Sequence, residues 1–118
     1  LAAGAARGDL PRIAAAAKSL LVATWNENYP AGYLAREVGV SVGQLSRVFK
    51  QALGCSIPAF RNRLRIEKAA EMLRSTDKSI TAVALECGFT NLTHFHRTFV
   101  RATGRSPTEW RRNGARPI

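Results

Sequence analysis

The sequence predicts an all-α protein of about seven helices, arranged as two similar subdomains joined by a long central helix. Three observations support this reading. Apolar residues recur at spacings of three and four along most of the chain, no stretch of useful length alternates as a half-buried strand would, and the chain matches itself at a fixed shift.

The elements follow in order. Leu1 to Gly8 is rich in Ala and Gly and reads as linker. Asp9 is placed to cap a first helix, with Pro11 in the first turn, where its missing N–H is harmless. The apolar stripe Ile13, Ala17, Leu20, Leu21 and Trp25 carries that helix to about Asn26. Tyr29 to Gly32 breaks the pattern, and Leu34, Ala35 and Val38 form the inner face of a short helix from about Tyr33 that ends at Gly39. Ser41, with Gln44 three residues on, is the capping-box start of the next helix. That helix turns Leu45, Val48, Phe49 and Leu53 inward, leaves Gln44, Ser46, Arg47, Lys50 and Gln51 on or near the outside, and stops at Gly54. Ser56 and Pro58 open the long helix, which runs to about Ser75 with Ile57, Phe60, Leu64, Ala69, Ala70 and Leu73 inward. At ~1.5 Å per residue it spans about 27 Å. Thr76 to Lys78 is a turn, and Ser79 caps a short helix through Cys87.

Glu86 to Pro107 then forms a turn and a helix. Gly88 closes the turn with a positive φ, Thr90 serves as N-cap, and Leu92, Phe95, Phe99 and Ala102 recur as an apolar face. Thr93, His94, His96, Arg97 and Arg101 are left outward. The run S-P-T-E from Ser106 to Glu109 is a second capping box, opening a last helix through Trp110 and Arg112, with fraying from Asn113. The domain reading is therefore linker 1–8, first subdomain 9–55, linker helix 56–75, second subdomain 76–113 and tail 114–118.

Charge narrows the function. Lys and Arg number 18 against 8 Asp and Glu, giving +10 and a pI near 11.1, a balance that suits nucleic acid or an anionic surface. Its distribution is uneven. Ser41 to Ile66 holds Arg47, Lys50, Arg61, Arg63 and Arg65 and no acid, and Cys87 to Thr108 holds Arg97, Arg101 and Arg105 and no acid. Two cysteines make no disulfide framework or metal pair: Cys87 reads as a small core residue and Cys55 as a partly exposed turn residue. No signal peptide is visible, Lys18 interrupts the longest apolar run, and a reduced cytoplasmic setting with no membrane partner is expected. The chain lacks a starting Met, so it reads as a piece of something longer.

The self-match organises the rest. A shift of 49 places Ala35, Glu37 and Gly39 on Ala84, Glu86 and Gly88, and a shift of 50 places Arg47, Phe49, Ala52, Gly54, Ser56 and Arg61 on Arg97, Phe99, Ala102, Gly104, Ser106 and Arg111. Each copy is a short helix, a glycine turn and a longer helix with a basic, acid-free face, which is the helix-turn-helix pattern. The connecting helix suits two recognition helices held about one DNA turn, ~34 Å, apart, in successive major-groove segments.

The runs LAREVGVSVGQLSRVFKQALGCSI, RLRIEKAAEML and SITAVALECGFTNLTHFHRTFVRATGRSPTEWR resemble the DNA-binding domain of AraC/XylS-type transcription regulators, over about Ala31 to Arg112. The resemblance implies seven helices in two lobes. It also implies a sequence-specific double-stranded DNA-binding fragment of a regulator, an activator, whose effector or dimerisation domain lies N-terminal to the linker. RNA polymerase is then a partner, no cofactor is needed, the isolated domain is monomeric and the full-length protein is open to dimerisation. It places Gly43, Ser46 and Arg47 in one helix, and Leu92, Thr93, His94 and Arg97 in the other, at base edges. Gly43 departs from the larger side chain common at its position. Arg47 suits a bidentate contact to guanine, and Leu92 and Thr93 suit thymine methyls. Ser41, Gln44, Lys50, Asn91, His96 and Arg101 are expected at phosphates, with Arg61 or Arg63 as outlying contacts, and backbone N–H groups at the helix starts add to them. Two alternatives stay open: first-turn packing for Leu92, and a carboxylate clamp to Glu37 or Glu86 for Arg47 and Arg97.

An enzyme is not expected. His94 and His96 stand two residues apart on a helix and cannot share a metal, and no nucleophile, carboxylate pair or phosphate-binding glycine loop accompanies them. A helical module that binds an acidic protein partner is the other class the charge admits.

Overall fold

A computed structural model describes residues 10–114, and among them all regular structure is helical. The helices are α1 (Leu10–Ala23), α2 (Ala31–Val38), α3 (Val42–Leu53), α4 (Ile57–Ser75), α5 (Ile80–Glu86), α6 (Leu92–Thr103) and α7 (Pro107–Gly114). Two compact units meet between Arg61 and Asn62, inside α4. The first turn of α4 therefore belongs to the first unit and the remainder to the second.

In the first unit α1 packs on α3 and α2. Leu21, Leu34, Leu45 and Phe49 are fully buried, and Ala14 and Ala17 keep the contacting face of α1 slim. Phe60, from the first turn of α4, meets Phe49 edge-on at 5.6 Å. In the second unit Leu73, Val83, Cys87, Phe95 and Phe99 fill the core. There Trp110 meets Phe99 edge-on at 5.9 Å. Phe49 and Phe99, and likewise Phe60 and Trp110, are separated by the 50-residue repeat, so each unit closes its core with the same aromatic pair.

The turn is also repeated in backbone detail. At Gly39, φ is 81°, its N–H donates to Arg36 O at 3.2 Å and the N–H of Val40 donates to Ala35 O at 3.0 Å. At Gly88, φ is 92°, its N–H donates to Leu85 O at 3.0 Å and that of Phe89 donates to Ala84 O at 3.0 Å. Both are the paired helix-ending bonds of a Schellman motif, which needs a left-handed residue. The second helices stop alike, with the N–H of Gly54 on Lys50 O at 2.9 Å and that of Gly104 on Val100 O at 2.7 Å. The starts of α4 and α7 correspond too. Ser56 Oγ accepts from the N–H of Ala59 and Ser106 Oγ from that of Glu109. Glu109 Oε1 accepts from the N–H of Ser106 at 3.0 Å, completing the reciprocal box. These bonds hold the Glu109 carboxyl below its ordinary range.

Several boundaries differ from the sequence reading. The expected cap Asp9 lies outside the described residues. α1 ends at Ala23, short of Asn26, because Thr24 Oγ1 donates to Leu20 O and the chain turns back with Glu27 N–H on Thr24 O. α2 begins at Ala31 rather than Tyr33, since Pro30 already stands at its N-cap. The N-cap of α6 is Asn91, not Thr90: its backbone is extended and Oδ1 accepts from the N–H of His94 at 2.9 Å. Leu92 and Ala102 are exposed rather than inward. Leu92 sits at the first position of α6, and Phe89 takes the place beside Phe95 instead, at 5.0 Å edge-on. Thr98, which stands where the first unit has Val48, is buried. α7 continues through Asn113.

A contrast between two glycines tests the turn. A Cβ at Gly39 or at Gly43 meets nothing within 4 Å, but only Gly39 has positive φ. Gly39→Ala is therefore expected to lower stability by about 1–2 kcal/mol through backbone strain alone, whereas Gly43→Ala raises it by about 0.5 kcal/mol. Urea unfolding of the two variants checks the opposite signs.

Candidate nucleic-acid interface

An α-helix buried along one face presents two neighbouring i, i+4 rows on the other. In α3 these rows are Val42, Ser46 and Lys50, then Gly43, Arg47 and Gln51, all exposed. In α6 they are Leu92, His96 and Val100, then Thr93, Arg97 and Arg101, again exposed, with His94 beside them. The opposite faces carry Leu45, Val48 and Phe49, and Phe95, Thr98 and Phe99, all buried. Each predicted base reader thus lies on the solvent face of its helix: Gly43, Ser46 and Arg47 in the first unit, and Leu92, Thr93, His94 and Arg97 in the second. Among the predicted phosphate contacts Ser41, Lys50, Asn91, His96 and Arg101 are exposed and Gln44 is half-buried.

Neither helix contains an acid. Among the described residues Arg47, Lys50, Arg97 and Arg101 have no hydrogen-bond or ion-pair partner. The clamp of Arg97 on Glu86 does not form, because Lys78 Nζ holds that carboxylate at 2.8 Å. Arg47 likewise does not engage Glu37. Leu92 remains 48% exposed at the start of α6.

The N-caps leave donors to spare. Ser41 Oγ accepts from the N–H of Gln44 at 3.1 Å, which leaves its O–H free to donate. In Asn91 the side-chain carbonyl is used in the cap, and its amide NH₂ remains a donor. Both caps therefore satisfy the helix and still offer hydrogen to an anion.

Other basic residues turn inward. Arg65 is 6% exposed, donates to Gly88 O at 3.2 Å and lies over the Phe89 ring at 5.9 Å, fixing the turn of the second unit from α4. Arg111 Nε donates to Leu73 O at 3.0 Å, and its Nη2 donates to Thr76 O at 3.2 Å and Lys78 O at 2.6 Å. Arg61 Nη2 donates to Tyr29 O at 2.9 Å, and burial lowers its pKa. Lys78 and Tyr29 are 49 residues apart, Arg111 and Arg61 are 50 apart, so both units latch the segment leading into the first helix of their helix-turn-helix with an equivalent guanidinium. Arg61 thereby spends one of its donors within the fold. Arg74 stacks over Trp110 at 4.2 Å, while Trp110 Nε1 donates to Ala70 O. The sequence signal for the latch was the Arg61 and Arg111 match itself; Arg65 has no repeat partner and left no such signal. Cys87 is buried, and that burial, with Glu86 beside it, pushes its thiol up to about 11, so it behaves as a small apolar core residue.

The helix-turn-helix domain family matches residues 34–113. A transcriptional regulator of Chromobacterium violaceum, described as having an AraC-type DNA-binding domain, superposes with a TM-score of 0.83 at 35% identity, covering 96% of this chain and 100% of that one. The chain belongs to the AraC-type helix-turn-helix DNA-binding domains.

The transcriptional regulator MtrA of Neisseria gonorrhoeae is 41% identical over 75 residues, and the transcriptional activator RhaS of Escherichia fergusonii 40% over 78. These matches cover 64% and 66% of this chain but only 25% and 28% of the relatives. The chain thus spans about a quarter of the length of those curated relatives. The AraC-type family match begins inside α2, leaving α1 outside it although α1 packs on α3 and α2.

In this AraC-type domain the arginine latch has a direct test. Arg111→Ala removes charged donors from three carbonyls and is expected to lower stability by about 2–3 kcal/mol. Lys78→Ala breaks a pair whose side chains are 45% and 46% exposed and should change it by less than about 1 kcal/mol. Thermal unfolding of both variants distinguishes the two effects.

Proposed function

We propose that this chain reads double-stranded DNA in a sequence-specific way with α3 and α6, each lying in a major-groove segment, the two segments being successive. The observation that carries the reading is the pair of matched, acid-free helix faces on which Arg47 and Arg97 stand without a partner among the described residues. A guanidinium held out in this way can donate bidentately to guanine O6 and N7. Ser46 and Gly43 stand beside Arg47, and Leu92, Thr93 and His94 precede Arg97, all within the first two turns of their helices, which supports reading base edges there. Lys50, Ser41 and Gln44 in the first unit and Arg101, His96 and Asn91 in the second supply the phosphate contacts that set register.

Residues 9–55 and 76–113 carry one helix-turn-helix each, and residues 56–75 form the helix between them. The chain is the DNA-binding part of a transcription regulator whose effector domain lies elsewhere in the full-length protein. That regulator acts as an activator, a reading supported by the name of the RhaS relative, and RNA polymerase is its partner. The isolated domain binds as a monomer, the full-length protein is open to dimerisation, and the setting is cytoplasmic. No described helix is long and apolar enough to cross a membrane.

Neutralising about six to eight phosphates makes log K fall with log salt at a slope of roughly −5 to −7. A nearly flat dependence in a fluorescence-anisotropy titration would sink the proposal. Within the interface, Arg47→Ala and Arg97→Ala each change preference at one base pair, by about 1–3 kcal/mol, while Lys50→Ala and Arg101→Ala weaken all duplexes alike. Competition among duplexes with single base changes measures this, and equal uniform losses from all four variants reject the division of roles.

A further inference from the structure

We propose that Val42 is a further specificity-determining residue, reading the 5-methyl group of a thymine in the first half-site as the counterpart of Leu92 in the second. The inference rests on the duplex-reading proposal for α3 and α6 and extends it to a residue outside the predicted reading set. Val42 and Leu92 are 50 residues apart, the separation that relates the two recognition helices. Each is the first residue of its helix, directly after the capping residue Ser41 or Asn91. Each is a branched aliphatic left 44% or 48% exposed, while the apolar residues of the same helices that serve the core, Leu45 and Phe49 or Phe95 and Phe99, are fully buried.

Neither side chain belongs to the buried core, which therefore does not by itself explain an apolar residue there. Their surroundings do: Val42 lies one turn before Ser46 on the same row and next to Gly43, and Arg47 follows Gly43 on the adjacent row. Gly43 has no side chain, and a Cβ there would meet nothing within 4 Å, so the Val42 methyls can be approached from that side. In the major groove the apolar feature that distinguishes bases is the thymine 5-methyl group. A valine beside an arginine then selects thymine next to the guanine that the arginine reads.

The test uses the whole chain and a duplex enriched from a random pool, in which each thymine is replaced in turn by deoxyuridine, removing one methyl and nothing else. One thymine in the half-site read by α3 should show a loss of about fourfold with the wild-type protein, the worth of one buried methyl. That loss should vanish with Val42→Ala, and a thymine in the other half should respond in the same way to Leu92→Ala. Circular dichroism confirms that the exposed-site variants keep their helices. Binding with no methyl effect that Val42→Ala abolishes, or a first half-site without a preferred thymine, overturns the assignment of Val42 and leaves the duplex reading standing. Failure of the wild-type chain to retain any duplex overturns both.

Discussion

The structure depends on a helix that must stop within one residue and allow the next to start after a short turn. Gly39 and Gly88 meet that demand with left-handed backbone, and at each turn two N–H groups, the glycine's and that of the residue after it, donate to the preceding carbonyls. The bonds satisfy groups that a helix end would otherwise leave open. They also fix where the next helix begins, and therefore which of its residues face the core. Phe49 and Phe99 are buried and Arg47 and Arg97 exposed because of that registry, two residues apart on the same helices. A Gly-to-Cβ change at the turn would act on the outward face as well as on stability.

Among the described residues, two groups of basic side chains behave differently. Arg61, Arg65 and Arg111 spend their donors on backbone carbonyls of turns and connecting segments, where a guanidinium can serve several acceptors at once. Arg47, Lys50, Arg97 and Arg101 make no such bonds and stay in solvent. Net charge alone does not distinguish these populations, and the acid-free run from Ser41 to Ile66 contains both. The inward arginines set the frame on which the outward ones stand. A surplus of +10 is thus partly an architectural requirement and partly a field directed at a polyanion.

What could be read from the sequence was local. Capping serines, glycine stops and i, i+4 rows act over a few residues, so Ser41, Ser79, Ser106, Gly54 and the buried phenylalanines Phe49, Phe60, Phe95 and Phe99 could be placed without a partner in view. The repeat then joined these local signs into two equivalent units. What could not be read depends on residues distant in sequence. Arg65 reaches Gly88 from another helix, and nothing near it in the chain indicates that it is buried. Periodicity gave Leu92 and Ala102 to the inner face because it reports direction but not where the core ends, and Phe89, from the turn, closes the core before Leu92 can reach it. Thr90 and Asn91 are both competent caps. Which one acts was settled by where the backbone leaves the helix, a matter of turn geometry rather than residue type.

The central claim is that one chain carries two equivalent but differently equipped reading heads, with Ser46 and Arg47 on one and Thr93, His94 and Arg97 on the other. Enrichment of bound duplexes from a random pool tests it most directly. Two such heads should enrich a site of about 15–20 base pairs containing two unlike half-sites whose centres lie about one helical turn, ~10 base pairs, apart. A single short motif with no second half, or retention of duplexes without any sequence enrichment, would contradict it.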